Sequence, residues 1–215
     1  MKNKYIIFDL DDTLVYEMDY LESAYLDIAK TMDAMNYKLL HRDMLSWYHN
    51  KFNVFNLLIE KYPLKNDVNL LEMYRNHLPD DVHLNEGAIE ILDYFKNKGY
   101  KLGLVTDGRT ITQRNKIKAL GIENKFNKII ISEEFGSSKP DLRNFHNFTE
   151  HGISEYYYIA DNPTKDFISP NVLGWTTICL LNNGKNIHPQ NFDLDYSYLP
   201  KFKINKLIEL INLIS

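Results

Sequence analysis

Residues 5–15, YIIFDLDDTLV, decide the fold. The first four are apolar and favour a β-strand, and three carboxylates follow without a turn, at Asp9, Asp11 and Asp12. A continuous apolar run of this kind is typical of a strand buried on both faces of a parallel sheet. Carboxylates at the end of a buried strand repel one another unless a cation or ligand neutralises them. The stretch therefore predicts a central strand with a charged site at its carboxyl end.

Four further apolar runs are predicted to be strands, and helical patterns lie between the last four of the five. The five predicted strands are Lys4–Phe8, 101–105, Lys128–Ile131, 156–159 and Thr176–Leu180. The predicted helices are 86–99, 109–121, 142–152, 167–174 and a final amphipathic helix over 202–214. This alternation predicts an α/β protein with a doubly wound, Rossmann-like core and a parallel sheet of five strands.

Residues 16–83 interrupt the alternation, because they carry helical periodicity and no strand pattern. The periodicity is carried by residues such as Leu21, Ala24, Tyr25 and Ile28, and then Met44, Trp47, Tyr48, Phe52 and Phe55. We expect a small helical-bundle cap over 16–83, inserted into a core domain formed by 1–15 and 84–215. The aromatic stripe of the cap could line a substrate pocket, but such stripes more often form the core of the bundle itself.

Composition limits the class of partner and the compartment. The chain has 215 residues, is 44% hydrophobic and carries a formal net charge of −4 without a basic run, which argues against nucleic acid or a membrane surface as the main partner. Its single cysteine, Cys179, excludes an internal disulfide and lies in an apolar run typical of an inert core thiol. The first apolar run is too short for a signal peptide, and none approaches the ~20 residues of a membrane span. These features predict a cytoplasmic protein.

Polar residues also follow the other predicted strands. Thr106 and Asp107 end the second strand, Lys139 follows the third, and the fourth runs into Asp161, with Asp166 five residues later. Because parallel strands end at one edge of a sheet, these groups are expected to converge with the carboxylates after the first strand. Clustered carboxylates suit Mg²⁺, whereas a hydroxyl and an ammonium suit the oxygens of a phosphoryl group. The pattern therefore predicts phosphoryl transfer.

The motifs DLDDT at 9–13, Thr106, SKPD at 138–141, and Asp161 with Asp166 resemble, in order and spacing, the four motifs of the haloacid dehalogenase-like (HAD) hydrolase superfamily. The resemblance covers essentially the whole chain. It is close to the branch with a helical cap between the first and second motifs, which includes phosphoglycolate phosphatase-like and nucleotidase-like proteins. Ala160, where a glycine commonly precedes the aspartate, is a modest departure. The resemblance implies a magnesium-dependent phosphatase that acts on a small phosphorylated metabolite.

The same resemblance implies catalytic roles for individual residues. Asp9 would be the nucleophile that forms an aspartyl-phosphate, and Asp11 the general acid and base. Lys139 would screen Asp9 and, with Thr106 and Asp107, bind the transferred phosphoryl group.

It also implies a metal site for Mg²⁺. The predicted ligands are Asp9, Asp161 and the backbone carbonyl of Asp11, with Asp166 as a direct or indirect partner. In addition, Asp12 is expected to shape the turn after the first strand.

Several alternatives remain open at the level of sequence. A phosphomutase uses the same residues and differs through its cap, while a dehalogenase should lack Asp11 and Asp161. A phosphate-responsive receiver domain would carry its reactive aspartate after the third strand, and a partner-binding scaffold would usually have lost a site residue. The substrate could be a sugar phosphate, a nucleoside monophosphate, phosphoglycolate or a flavin mononucleotide. The oligomeric state is also open.

Overall fold

The computed structural model, which describes residues 3–62 and 68–214, contains a six-stranded parallel sheet. The strand order is β3-β2-β1-β4-β5-β6, so β1 lies in the middle, between β2 and β4. The strands are β1 Lys4–Phe8, β2 Lys101–Thr106, β3 Lys128–Ile131, β4 Glu155–Ala160, β5 Thr176–Leu180 and β6 Phe202–Ile204. All five pairings are parallel, which places the carboxyl ends of the strands on one edge. The predicted α/β class and parallel core are confirmed.

Helices connect these strands and form the segment after β1. Within the described residues 16–62 and 68–83, four helices precede the connecting helix: α1 Glu17–Met32, α2 Tyr37–His49, α3 Val54–Lys61 and α4 Leu70–Asn76. The others are α5 Ala88–Asn97, α6 Thr110–Ala119, α7 Ser132–Phe135, α8 Leu142–His146, α9 Ile168–Val172 and α10 Leu210–Ile214.

The predicted count of five strands is wrong, because the start of the last predicted helix is a strand. Residues 202–204 form β6, which pairs with β5 through Ile178 opposite Phe202 and Leu180 opposite Ile204. A three-residue strand is too short to show alternation, and the helical spacing of the apolar residues after it hid the boundary. The helical part begins only at Leu207, with one 3₁₀ turn before α10.

The continuous apolar run in β1 is explained by a core on each face of the sheet. Side chains alternate across a strand. Ile6 and Phe8 accordingly pack into the larger cluster, which includes residues of α5, α6 and α10. Tyr5 and Ile7 pack into a second cluster on the other face. All four side chains are fully buried, so β1 is held rigidly up to the residue that precedes Asp9.

The segment over α1–α4 has a hydrophobic cluster of its own. It includes Tyr25 and Met44, against which Trp47, Tyr48 and Phe55 pack. Most of the aromatic stripe is therefore bundle core, as expected, whereas Phe52 is 59% exposed. The division into a cap of 16–83 and a core of 1–15 with 84–215 stays a prediction.

Two findings bear on the environment of the chain. Cys179 is buried in β5, and burial raises the pKa of its thiol, which agrees with an inert core residue. In the part of the chain that the structure describes, none of the helices combines the length and apolar character needed to cross a membrane. A cytoplasmic location stays a prediction.

Gly103 in β2 lies directly against the buried ring of Phe148. A Cβ at this position would lie 2.5 Å from Cε1 and 2.9 Å from Cδ1 of Phe148, and 3.1 Å from Cγ1 of Ile7. Phe148 is fully buried, so its ring has little room to move. A glycine in mid-strand is here a packing requirement.

We therefore expect Gly103→Ala to lower the free energy of unfolding by about 1–3 kcal/mol, the usual range for overpacking a core. Urea denaturation of the metal-free protein measures this change. A Phe148→Leu background, which removes part of the clashing ring, should reduce the effect of Gly103→Ala. Equal losses in both backgrounds would show that the contact with Phe148 is not the cause.

Candidate active site

The strand-end groups predicted from the sequence converge around one small pocket. Its volume is about 150 Å³, and Asp9, Thr106 and Asp161 line it. Three more carboxylates reach the same pocket, those of Asp11, Asp12 and Asp107, together with Glu17 from the start of α1. Two larger hollows nearby, of about 290 and 490 Å³, do not reach the carboxylate of Asp9. Asp9, Thr106 and Asp161 therefore line the smallest of these three pockets and neither of the larger two.

The turn after β1 is held by the side chain of Asp12. Its backbone has a φ of 56°, in the left-handed region. Its Oδ1 accepts a hydrogen bond from the backbone N–H of Glu17 at 3.0 Å, and its Oδ2 accepts one from Ile187 at 2.9 Å. These bonds tie the turn to α1 and to the loop after β5, in agreement with the turn-shaping role expected for Asp12.

Lys139 is buried between two carboxylates. Its Nζ lies 2.9 Å from Oδ1 of Asp9 and 2.7 Å from Oδ1 of Asp166, and its side chain has no exposed surface. Burial lowers the pKa of Lys139, but Asp166 and Asp9 outweigh this effect and hold it well above its usual value. Lys139 is therefore an ammonium ion that neutralises part of the charge beside Asp9.

One lysine does not balance the carboxylates around it. Asp9, Asp161 and Asp166 each offer an oxygen within 4.8 Å of the others, and all three are buried. Burial raises the pKa of Asp9 to about 7, with Lys139 acting in the opposite direction. Burial, followed by Asp166 and Asp9, raises that of Asp161 to about 8. An excess of buried oxygen ligands of this kind fits a hard divalent cation such as Mg²⁺.

Within this cluster, the two oxygens of Asp166 already have partners. Oδ1 pairs with Lys139, and Oδ2 accepts a hydrogen bond from the backbone N–H of Asn162 at 2.9 Å. Oδ2 of Asp161 accepts a bond from Asn186 at 2.9 Å, which leaves its other oxygen without a protein partner among the described residues. Asp161 is thus better prepared than Asp166 to coordinate a metal directly.

The carboxylate of Asp11 is held by two residues of α6 that sequence reasoning missed. Lys116 Nζ lies 2.6 Å from its Oδ1, and Gln113 Nε2 donates to its Oδ2 at 2.8 Å. Gln113 also donates to Oγ1 of Thr106 at 2.5 Å, and Lys116 lies over the ring of Tyr20, 4.7 Å from its centroid. Their spacing of three residues puts both on one helix face, but the sequence alone does not show what that face contacts.

Asp107 contacts lysines in this structure. Its Oδ1 accepts a hydrogen bond from the backbone N–H of Lys139 at 3.0 Å, and its Oδ2 lies 3.5 Å from Nζ of Lys165. The carboxylate thus anchors the loop that carries Lys139. A direct role of Asp107 in phosphate binding stays a prediction.

Three further residues at the pocket were missed from the sequence. Glu17, Lys165 and His188 all line it. Burial, and then the charge of Asp11, raise the pKa of Glu17 to about 7. Lys165 lies next to the predicted Asp166 in the chain, which was a usable signal, whereas His188 comes from an irregular loop that no motif marks.

Comparison with known proteins agrees with this geometry. The sequence profile of the haloacid dehalogenase-like hydrolase family matches residues 6–179. Glyceraldehyde 3-phosphate phosphatase of Methanocaldococcus jannaschii is 32% identical over 226 residues, covering 98% of this chain and 96% of that protein. Pyrimidine 5'-nucleotidase YjjG of Escherichia coli is 24% identical, covering 100% and 99%. The structure of the HAD-hydrolase YfnB of Bacillus subtilis bound to magnesium has a TM-score of 0.68 at 22% identity, covers 100% of both chains, and supports the fold alone.

The matched profile and the full-length relatives show that the chain belongs to the haloacid dehalogenase-like hydrolase family. Within that family it is a hydrolase of the phosphoric monoester class, in which its phosphatase and nucleotidase relatives are found. The resemblance inferred from the four motifs is therefore confirmed.

The raised carboxyl pKa values lead to a prediction about pH and metal. Because the pKa values of folded Asp9 and Asp161 lie near 7 and 8, the folded protein retains protons that the unfolded chain loses near pH 4. The stability that these protons provide is complete below about pH 4 and is lost as the pH rises through 7 and 8. A bound cation replaces the protons, so we expect Mg²⁺ to raise the melting temperature more at pH 8.5 than at pH 5.5.

Thermal unfolding with Mg²⁺ or with EDTA at both pH values measures this difference. In Asp161→Asn, which removes one of the two groups, the gain from Mg²⁺ at pH 8.5 should shrink. A gain that is equal at the two pH values in the unsubstituted protein would contradict the assignment of the cluster as a cation site.

Proposed function

We propose that this protein is a magnesium-dependent phosphatase that hydrolyses a small phosphomonoester through an aspartyl-phosphate on Asp9, with Asp11 as general acid and base. The observation that carries the proposal is the position of Asp9. Its carboxylate reaches the pocket, and a buried lysine lies 2.9 Å away. A carboxylate is a weak nucleophile toward a phosphate dianion unless positive charge reduces their repulsion. Lys139 supplies such a charge.

The ligands of Mg²⁺ would be the carboxylates of Asp9 and Asp161 and the backbone carbonyl of Asp11. Asp166 would not bind the ion directly but would hold the site in place through its contacts with Lys139 and Asn162. The donor set of buried carboxylate oxygens fits this ion. Bound Mg²⁺ would neutralise phosphoryl oxygens and orient them toward Asp9.

In the first step, an oxygen of Asp9 forms a bond to phosphorus while the bond from phosphorus to the ester oxygen breaks. Asp11 gives its proton to the departing alcohol. In the second step, a water molecule attacks the phosphorus of the aspartyl-phosphate, Asp11 takes the proton of that water, and Asp9 is released with inorganic phosphate. The ion pair between Asp11 and Lys116 has to open for the first transfer, since the acid must reach the leaving oxygen.

The size of the pocket supports a leaving group of few atoms. A volume of about 150 Å³ is below the ~300–1,000 Å³ of pockets that enclose drug-sized ligands. After a phosphoryl group has entered, a short hydroxylated chain fits this space better than a nucleoside or a flavin. The 32% identical relative named glyceraldehyde 3-phosphate phosphatase supports a substrate of this size.

Hydrolysis of p-nitrophenyl phosphate tests the chemistry with little demand on substrate fit. We expect release of p-nitrophenol that requires Mg²⁺ and is abolished by EDTA. Asp9→Asn should lower kcat at least ~10⁴-fold, since the nucleophile is lost, and Asp11→Asn by ~10²–10⁴-fold, the usual contribution of a general acid or base.

Asp19→Asn is a matched control, because it removes a carboxylate from the first turn of α1 that does not line the pocket. Its kcat should stay within about twofold of the unsubstituted protein, as for a surface change away from the site. Acid quenching during turnover should also trap ³²P on the unsubstituted protein and none on Asp9→Asn. Full activity of Asp9→Asn would rule out Asp9 as the nucleophile.

A further inference from the structure

Glu17 is an ionisable group in the pocket that the proposed mechanism does not use. It is the first residue of α1 and lines the same 150 Å³ pocket as Asp9 and Asp161. Its position follows from the turn after β1, because Asp12 accepts a hydrogen bond from the backbone N–H of Glu17. The side chain therefore comes from the inserted helical segment, while the nucleophile comes from the sheet.

The carboxylate of Glu17 has no hydrogen-bond donor in residues 3–62 and 68–214. Its backbone N–H is bonded to Asp12, but no side chain or backbone N–H donates to its two oxygens. By contrast, Asp11 receives bonds from Gln113 and Lys116. The Glu17 side chain is only partly buried and lines the pocket, so its carboxylate can accept hydrogen bonds from water or from donor groups of a bound ligand.

The charges around Glu17 determine which ligand groups can bind beside it. Asp11 and Asp12 are its negative neighbours, and both line the pocket. The cations near it are engaged elsewhere: Lys116 is paired with Asp11, and Lys165 lies next to Asp107. A hydroxyl group can donate to Glu17 in this environment, whereas a second anionic group would be repelled by it.

From this arrangement we infer that Glu17 is a specificity residue, which accepts hydrogen bonds from hydroxyl groups of the leaving group and excludes phosphate esters that carry a carboxylate. The inference rests on the proposed function and narrows it to uncharged, hydroxylated phosphomonoesters. Of the substrates left open by the sequence, it disfavours phosphoglycolate.

A purely structural role for Glu17 would be to place negative charge at the start of α1, where the helix dipole favours it. Asp19 lies in the same first turn and can fill that role equally. Asp19 interacts with Lys185 and His83 and lines the neighbouring 490 Å³ hollow instead. Comparing substitutions of Glu17 and Asp19 therefore distinguishes an effect of negative charge at the start of α1 from an effect inside the 150 Å³ pocket.

Two esters with the same skeleton provide the test. Glycerol 3-phosphate and 3-phosphoglycerate differ in one terminal group, CH₂OH in the first and a carboxylate in the second. At pH 8.5 with Mg²⁺, we expect kcat/KM to favour glycerol 3-phosphate by at least about 30-fold in the unsubstituted protein. Glu17→Gln keeps the size of the side chain and removes its charge, so this ratio should fall about tenfold, the order expected for one like charge at close range.

Asp19→Asn should leave the ratio within about twofold of the unsubstituted value, since its carboxylate faces another hollow. A general loosening of the site by Glu17→Gln would slow both esters equally and leave the ratio unchanged, which would overturn the inference. A preference for 3-phosphoglycerate in the unsubstituted protein would overturn it as well.

Binding separates this inference from the proposed function. Isothermal titration of both esters into Asp9→Asn with Mg²⁺, and into Asp9→Asn/Glu17→Gln, measures the same preference without turnover. If p-nitrophenyl phosphate is not hydrolysed but the binding ratio depends on Glu17 as expected, the phosphatase proposal fails while the inference holds. Equal binding ratios in the two proteins, or no binding of either ester, would overturn the inference regardless of activity.

Discussion

The buried contact of Lys139 with Asp9 and Asp166 is the interaction on which the site depends. An isolated carboxylate in this position would take up a proton, because burial alone raises its pKa. The ammonium ion acts against that effect and fixes the position of Asp9, while Asp166 fixes the ammonium ion in turn. Loss of one member of such a buried set leaves uncompensated charge, at a cost of about 3–5 kcal/mol. The same contact therefore holds Asp9 in place and lowers the electrostatic cost of its negative charge, as the proposed nucleophile requires.

The surroundings of this contact explain why one lysine is not enough. Asp161 adds a third carboxylate to those of Asp9 and Asp166. Two residues of the loop after β5 hold it: Asn186 donates a hydrogen bond to its carboxylate, and Gln190 donates one to its backbone carbonyl at 2.7 Å. The parallel sheet brings these groups together, but it also concentrates negative charge at one edge. The proposed Mg²⁺ would balance this excess, and it would not need a closed cage of protein ligands to do so.

The sequence was sufficient for the parts of the molecule that repeat a simple physical pattern. Five of the six strands and the position of the strand-end groups follow from buried apolar runs and from the geometry of a parallel sheet, in which carboxyl ends share an edge. The strand Phe202–Ile204 was missed because three residues cannot display alternation. Gln113, Lys116 and His188 were missed for a different reason: their roles depend on which helix face or loop meets the pocket, and one sequence does not specify that tertiary contact.

The helices between β1 and β2 are linked to the proposed catalytic residues in two ways, through α1 and through their contact with α6. Glu17 begins α1 at the pocket, and Tyr20, one turn later, covers the side chain of Lys116 that holds Asp11. On the far side of the segment, α6 binds the end of α4, because Thr112 donates to the backbone carbonyl of Arg75 and Asn115 donates to that of Asn76. Helix α6 thus contacts both the inserted segment and the proposed acid and base. A shift of α1 relative to α6 would move Tyr20 away from Lys116. Because Lys116 holds the carboxylate of Asp11, the orientation of Asp11 depends on the position of α1.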